Sequence, residues 1–198
     1  CHWLWNGTAC QFSELNFPKL TLENGRTLCA LHAPINSKGR TKYDIVAIIR
    51  NANDSGIVKF DGVCFPDGKN IAFNAKDREI VSFYDCVFGR EFVLDLRGLS
   101  STAIAEVANP TMRGQLDILL PAGTFVAQYN EFTHGVVLAS HQSSLSECRL
   151  RGSHFRAGLE IKGQLWGVWD FSKAVFDSPF RLGAGTKGDV LLGTGATV

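Results

Sequence analysis

The stretch Phe83-Tyr84-Asp85-Cys86-Val87-Phe88 places two large apolar side chains five residues apart, with a small residue three after the first. Residues 60–65, 150–155 and 171–176 repeat the arrangement with Phe60 and Phe65, Leu150 and Phe155, and Phe171 and Phe176. The likeness continues beyond the second aromatic. Phe88 is followed at +4 and +6 by Phe92 and Leu94, Phe155 by Leu159 and Ile161, and Phe176 by Phe180 and Leu182. Two weaker copies fit the extended template: Val107 and Met112 lead to Leu116 and Ile118, and Ala127 and Phe132 lead to Val136 and Leu138. The anchors Phe65, Phe88, Met112, Phe132, Phe155 and Phe176 are thus spaced by 23, 24, 20, 23 and 21 residues. Recurrence at this interval marks a repeat architecture.

Side chains two apart share one face of a strand, so the +4 and +6 residues point inward together. Between each anchor and that strand lie three residues with turn chemistry, such as Gly89-Arg90-Glu91, Thr133-His134-Gly135 and Asp177-Ser178-Pro179. Each unit reads as a short strand, a corner, a second short strand and a more variable segment, for which Phe125, Leu145 and Leu165 supply inward residues. One such unit has too little apolar surface to fold alone. Stacked units bury a continuous aromatic and aliphatic column. A β-sandwich also gives short strands between turns, but it does not demand the full recurrent spacing. The sequence therefore predicts an all-β parallel β-helix, a solenoid with coils of about 20–24 residues. No stretch sustains the 3-4-7 spacing of an amphipathic helix.

The apolar-x-x-small-x-Phe hexads resemble those of pentapeptide-repeat proteins, best over Leu145, Cys148, Leu150, Ser153 and Phe155. The resemblance covers about residues 57–182 and implies a right-handed β-helix with Phe or Leu at the centre of each inner row. The regular coil of that family is 20 residues, so the longer coils here require bulged corners or loops. That departure leaves room for the broader β-helix class, which includes polysaccharide-processing enzymes. Some pentapeptide-repeat proteins imitate duplex DNA with strongly acidic surfaces. The charge of this chain argues against that role.

Residues 1–50 follow the template poorly and read as an N-terminal capping segment with a first irregular coil; residues 51–198 read as the repeats. Trp3, Trp5, Phe12 and Phe17 are candidates to plug the first ring of the core, since terminal repeats need covering. Residues 36–40 read as a loop, and residues 43–49 as the start of the regular stack. At the other end the template places its next anchor at Val198, which suggests a stack that continues or a C-terminal coil that self-associates.

The chain has 198 residues, 20 Lys+Arg against 19 Asp+Glu, and a net charge of +1, with both signs spread along it. Nucleic-acid binding by charge neutralisation needs a basic face that this balance does not supply. With 45% hydrophobic and 11% aromatic residues the chain supports a sizeable core. No apolar run approaches the ~18 residues of a membrane helix. Of six cysteines no two show C-x-x-C spacing, so a zinc knuckle is not expected, and neither a metal nor a cofactor is assigned. Cys86 and Cys148 fall at small inward positions. Packed there as free thiols, they suggest a reducing compartment and a cytoplasmic location.

Stacking predicts surface pairs: Glu131 beside His154, Arg156 beside Asp177, and Glu160 beside Arg181. The first is the candidate binding or acid–base site, because a carboxylate tunes a histidine across neutral pH, with His134 and His141 on nearby turns. Trp166 and Trp169 are candidates for stacking on a sugar or anchoring a protein. Asp61, Asp85 and Asn109 share roughly one ladder row, but an amide as third member makes poor sugar-cleavage chemistry. Phosphate-loop, serine-hydrolase and metalloprotease motifs are absent from the sequence. The expectation is a non-enzymatic scaffold or protein-interaction domain of a larger protein; the rival is a β-helix that binds or processes polysaccharide.

Overall fold

The computed structural model describes residues 4–5, 8–10, 12, 17–37, 40, 43–140, 145–165 and 167–182. The repeats close into a parallel β-solenoid of about five turns, with three sheets around each coil. Sheet A contains Asn70–Ala75, Phe92–Leu99, Leu116–Leu119, Val136–Ser140, Leu159–Gly163 and Phe180–Leu182. Sheet B contains Ile80–Tyr84, Ile104–Ala108, Thr124–Val126, Glu147–Arg149 and Val168–Asp170. Sheet C holds the anchor strands in two sections. Val87–Phe88 pairs with Thr111–Met112, and Glu131–Phe132 with His154–Phe155 and then Val175–Phe176.

The register follows from the template. Phe92, Leu116, Val136, Leu159 and Phe180 align across sheet A, as do Leu94, Ile118, Leu138, Ile161 and Leu182. In sheet C the rings of Phe132 and Phe155 stack at 5.0 Å and 10°, and those of Phe155 and Phe176 at 5.2 Å and 9°. Phe65 and Phe88 stack at 5.1 Å and 6° near the N-terminal end. Offset-stacked rings add attraction beyond the area they bury. Phe125, Leu145 and Leu165 are buried, as expected of the third segment.

The left-handed residues set the corner that leads into sheet C. Gly62, Asp85, Asn109, Tyr129, Gly152 and Lys173 all have positive φ, and each stands three residues before an anchor. Gly, Asn and Asp tolerate that conformation best. One residue later a small side chain turns inward and ties successive coils together. Cys86 donates to Phe60 O, Asn130 to Val107 O, and Ser153 to Ala127 O. Three of the six residues in this row, Cys86, Asn130 and Ser153, thus donate across coils, while Val63, Pro110 and Ala174 have no side-chain donor.

The N-terminal segment covers the first coil. Lys19–Thr21 and Thr27–Cys29 form an antiparallel pair, and Cys64 N donates to Leu31 O. Phe12 is buried, with its ring 6.3 Å from Phe60 and 5.8 Å from Phe17. Trp3 and the side chain of Trp5 lie outside the described residues, as does the end of the chain from residue 183.

Two expectations for this region fail. Residues 43–49 do not begin the stack: Ile45–Asp54 is a helix, N-capped by Asp44, whose side chain accepts from Ala47 N. Contrary to expectation the 3-4-7 spacing is present: Ile45, Ile48, Ile49 and Ala52 lie on one face, with Ile45, Ile49 and Ala52 buried and Ile48 packed against the core. Asn53 pairs with the backbone of Asn74, accepting from its N–H and donating to its carbonyl, which satisfies groups at the free edge of sheet A. Arg40 stands at the end of the segment read as a loop. It is buried and its guanidinium donates to Ala30 O and Cys64 O. Those two carbonyls belong to the cap and the first coil, so the side chain bridges them.

Candidate functional site

Cys29 ends a cap strand, and its carbonyl accepts from both His32 N (3.0 Å) and Ala33 N (3.1 Å). That tight turn brings side chains three apart onto one side. Cys10, which follows the strand Thr8–Ala9, comes to the same point. Cys10 Sγ lies 3.8 Å from Cys29 Sγ and 3.4 Å from His32 Nδ1, and Cys29 Sγ lies 3.1 Å from His32 Nδ1. All three residues are buried. His32 Nε2 bonds Asp61 O at 2.9 Å. Because a carbonyl only accepts, Nε2 carries a proton, and Nδ1 is the ring nitrogen that faces the two sulfurs.

The hydrogen bond from the Cys10 thiol holds Cys29 far below the ordinary thiol value, at about 4, against the desolvation that opposes it; His32 adds to the lowering. Cys10 moves the opposite way through the same bond and through burial. Asp61, whose carbonyl receives the imidazole proton, has its own carboxyl pushed up by burial, and its Oδ1 is buried without a hydrogen-bond partner. The cluster contains no Cys-x-x-Cys pair, so that spacing does not mark it. Cys29-x-x-His32 was its visible half.

The outer ladder differs in detail from expectation. Glu131 and His154 are register neighbours in sheet C, as predicted, but they do not form the charged contact. Glu131 Oε1 pairs with Arg156 Nη2 at 2.5 Å, while His154 Nε2 lies 2.8 Å from Asp177 Oδ2. Residues before and after the anchor share the outer face, so the longer arginine reaches back diagonally and the histidine reaches forward. Glu160 faces Arg181 in register, yet its ion pair is with Lys162 at 3.6 Å. Half-exposed pairs of this kind are worth about 0–1 kcal/mol. The Asp61, Asp85 and Asn109 row is corrected too. The bridge between Lys59 and Ser82 aligns Asp61 with Tyr84 and leaves Gly62 as the partner of Asp85.

Trp169 stands in register with Cys148 and Phe125, fully buried and stacked on Phe171 at 6.1 Å. Its ring belongs to the core and offers no face to a sugar or a partner. Trp166 and His141 lie outside the described residues. The open groove lined by Gln115, Gly135, Val137, Gly158, Glu160 and Arg181 sits at the corner between sheets C and A, and Glu131 and His154 do not line it.

Sheet B carries the other unexpected feature. Ile80, Ile104, Thr124, Glu147 and Val168 form one outward row, in which Ile80 and Val168 are each 49% exposed. Glu106, Val126, Arg149 and Asp170 stand in the next outward row. No family model, curated protein or solved structure matches the chain. Among the described residues, no helix is long and apolar enough to cross a membrane.

Proposed function

We propose that the chain acts as a non-enzymatic β-solenoid that binds another protein on the outer face of sheet B. The observation that carries this reading is the register-locked row with exposed Ile80 and Val168 beside Glu106, Glu147 and Asp170. Large apolar side chains on a rigid flat face favour burial against a protein surface. The neighbouring outward rows carry both signs, with Glu147 paired to Arg149, so the apolar residues rather than net charge carry the recognition. The hexads and the aromatic column support a degenerate relative of the pentapeptide-repeat proteins within the β-helix class. Among the described residues the cysteines are buried and outside any disulfide, which supports a reducing, cytoplasmic setting.

The test compares two folded double variants. Ile80→Asp/Val168→Asp alters sheet B, whereas Lys162→Glu/Arg181→Glu alters sheet A. A protein cross-linked to the unaltered chain should be lost from the first variant and kept by the second. Equal retention by both removes sheet B from the reading. Binding on a glycan array, or cleavage of a polysaccharide, favours the rival sugar-directed function instead.

A further inference from the structure

The cap cluster matches a zinc site in distance, chemistry and outer support. Zinc–thiolate bonds of ~2.3 Å and a zinc–imidazole bond of ~2.05 Å at tetrahedral angles place sulfur about 3.8 Å from sulfur and about 3.6 Å from nitrogen. The observed separations are 3.8 Å between Cys10 and Cys29, and 3.4 and 3.1 Å from these to His32 Nδ1. The sulfur spacing is far from the ~2.05 Å of a disulfide, and neither cysteine is in one. The imidazole carries a proton on the remote nitrogen, held by the Asp61 carbonyl, as a metal-ligating histidine does with its outer partner.

We propose that Cys10, Cys29 and His32 bind one Zn²⁺ ion, which fastens the N-terminal cap. Two soft sulfurs and an imidazole suit zinc better than magnesium or calcium, which take oxygen ligands. On binding, each sulfur uses a lone pair on the ion, and any proton still on a thiol passes to solvent. The described residues supply three of the four ligands of a tetrahedral zinc site. The ion joins the loop carrying Cys10 to the turn at 29–33, and through His32 to the carbonyl of the first coil. The site is separate from sheet B, so it does not depend on the proposed protein-binding role.

The test uses the full chain, purified from zinc-supplemented medium and dialysed. Elemental analysis should find about one equivalent of zinc. Co²⁺ replacing it should give thiolate-to-cobalt charge transfer and visible bands of tetrahedral intensity. A strong chelator should lower the melting temperature, and added Zn²⁺ should restore it. Cys10→Ser and His32→Gln should each weaken zinc binding by more than about 100-fold, beyond the ~10–100-fold that loss of an outer partner costs, while Cys148→Ala retains the metal. If either cap variant fails to fold, the cobalt spectrum and chelator response of the unaltered chain decide the matter. A folded chain that binds neither ion, or one whose mass and thiol count show a Cys10–Cys29 disulfide, overturns the proposal.

Discussion

Ser153 is fully buried, and its hydroxyl makes two hydrogen bonds across neighbouring coils. It donates to Ala127 O at 2.6 Å and accepts from Asn130 N at 3.1 Å. Ser153→Ala removes both and strands two buried backbone groups, so unfolding in urea should show a loss of about 1–3 kcal/mol. Ser153→Cys, which places there the donor already found at Cys86, should recover part of it. A change within about 0.5 kcal/mol for the alanine variant would mean that water or relaxation satisfies the corner. Spacing alone marked positions 86 and 153 as small. It did not mark the row as hydrogen-bonding, because the carbonyl to be satisfied belongs to the preceding coil. The same limit hid the zinc-like cluster: the cap brings Cys10 to Cys29 across nineteen positions of chain, a distance no local motif spans.

A strand of the column is stabilised from above and below. Phe155 stacks on Phe132 and Phe176 with near-parallel rings, so truncating it leaves a cavity inside an ordered pile. Phe155→Ala should cost about 3–5 kcal/mol by denaturant unfolding; a loss below about 1 kcal/mol would mean that the coils close over the gap. At this scale the strands were legible because every sheet A strand repeats its inward pair at +4 and +6, and the ladder enforces that register. The helix was not. Its buried stripe is only Ile45, Ile49 and Ala52, and Asn51, Asn53 and Asp54 are weak helix formers. Asp44 is a readable N-cap, and Ile45, Ile48, Ile49 and Ala52 keep the 0, 3, 4 and 7 spacing of a helix, but a stripe of about two turns beside a run of β-branched residues also reads as a strand.

In a solenoid each coil touches its neighbours alone, so a perturbation at one end should fade along the stack. Arg40 tests this. It is buried against Ala30 O in the cap and Cys64 O in the first coil, and burial pulls its pKa below the ordinary guanidinium value. Arg40→Met keeps a flexible apolar stem but removes both donors. Two orphaned carbonyls outweigh the relief of uncharging the site, giving a net loss of about 1–3 kcal/mol. Amide hydrogen exchange should place that loss locally. Cys64 N, which donates to Leu31 O, and Phe60 N, which donates to Ser82 O, should lose protection. The amides of Leu159, Glu160 and Ile161, paired on both sides at the far end, should keep theirs. Equal loss along all coils would instead show a single cooperative block, in which the cap governs the whole column rather than its first ring.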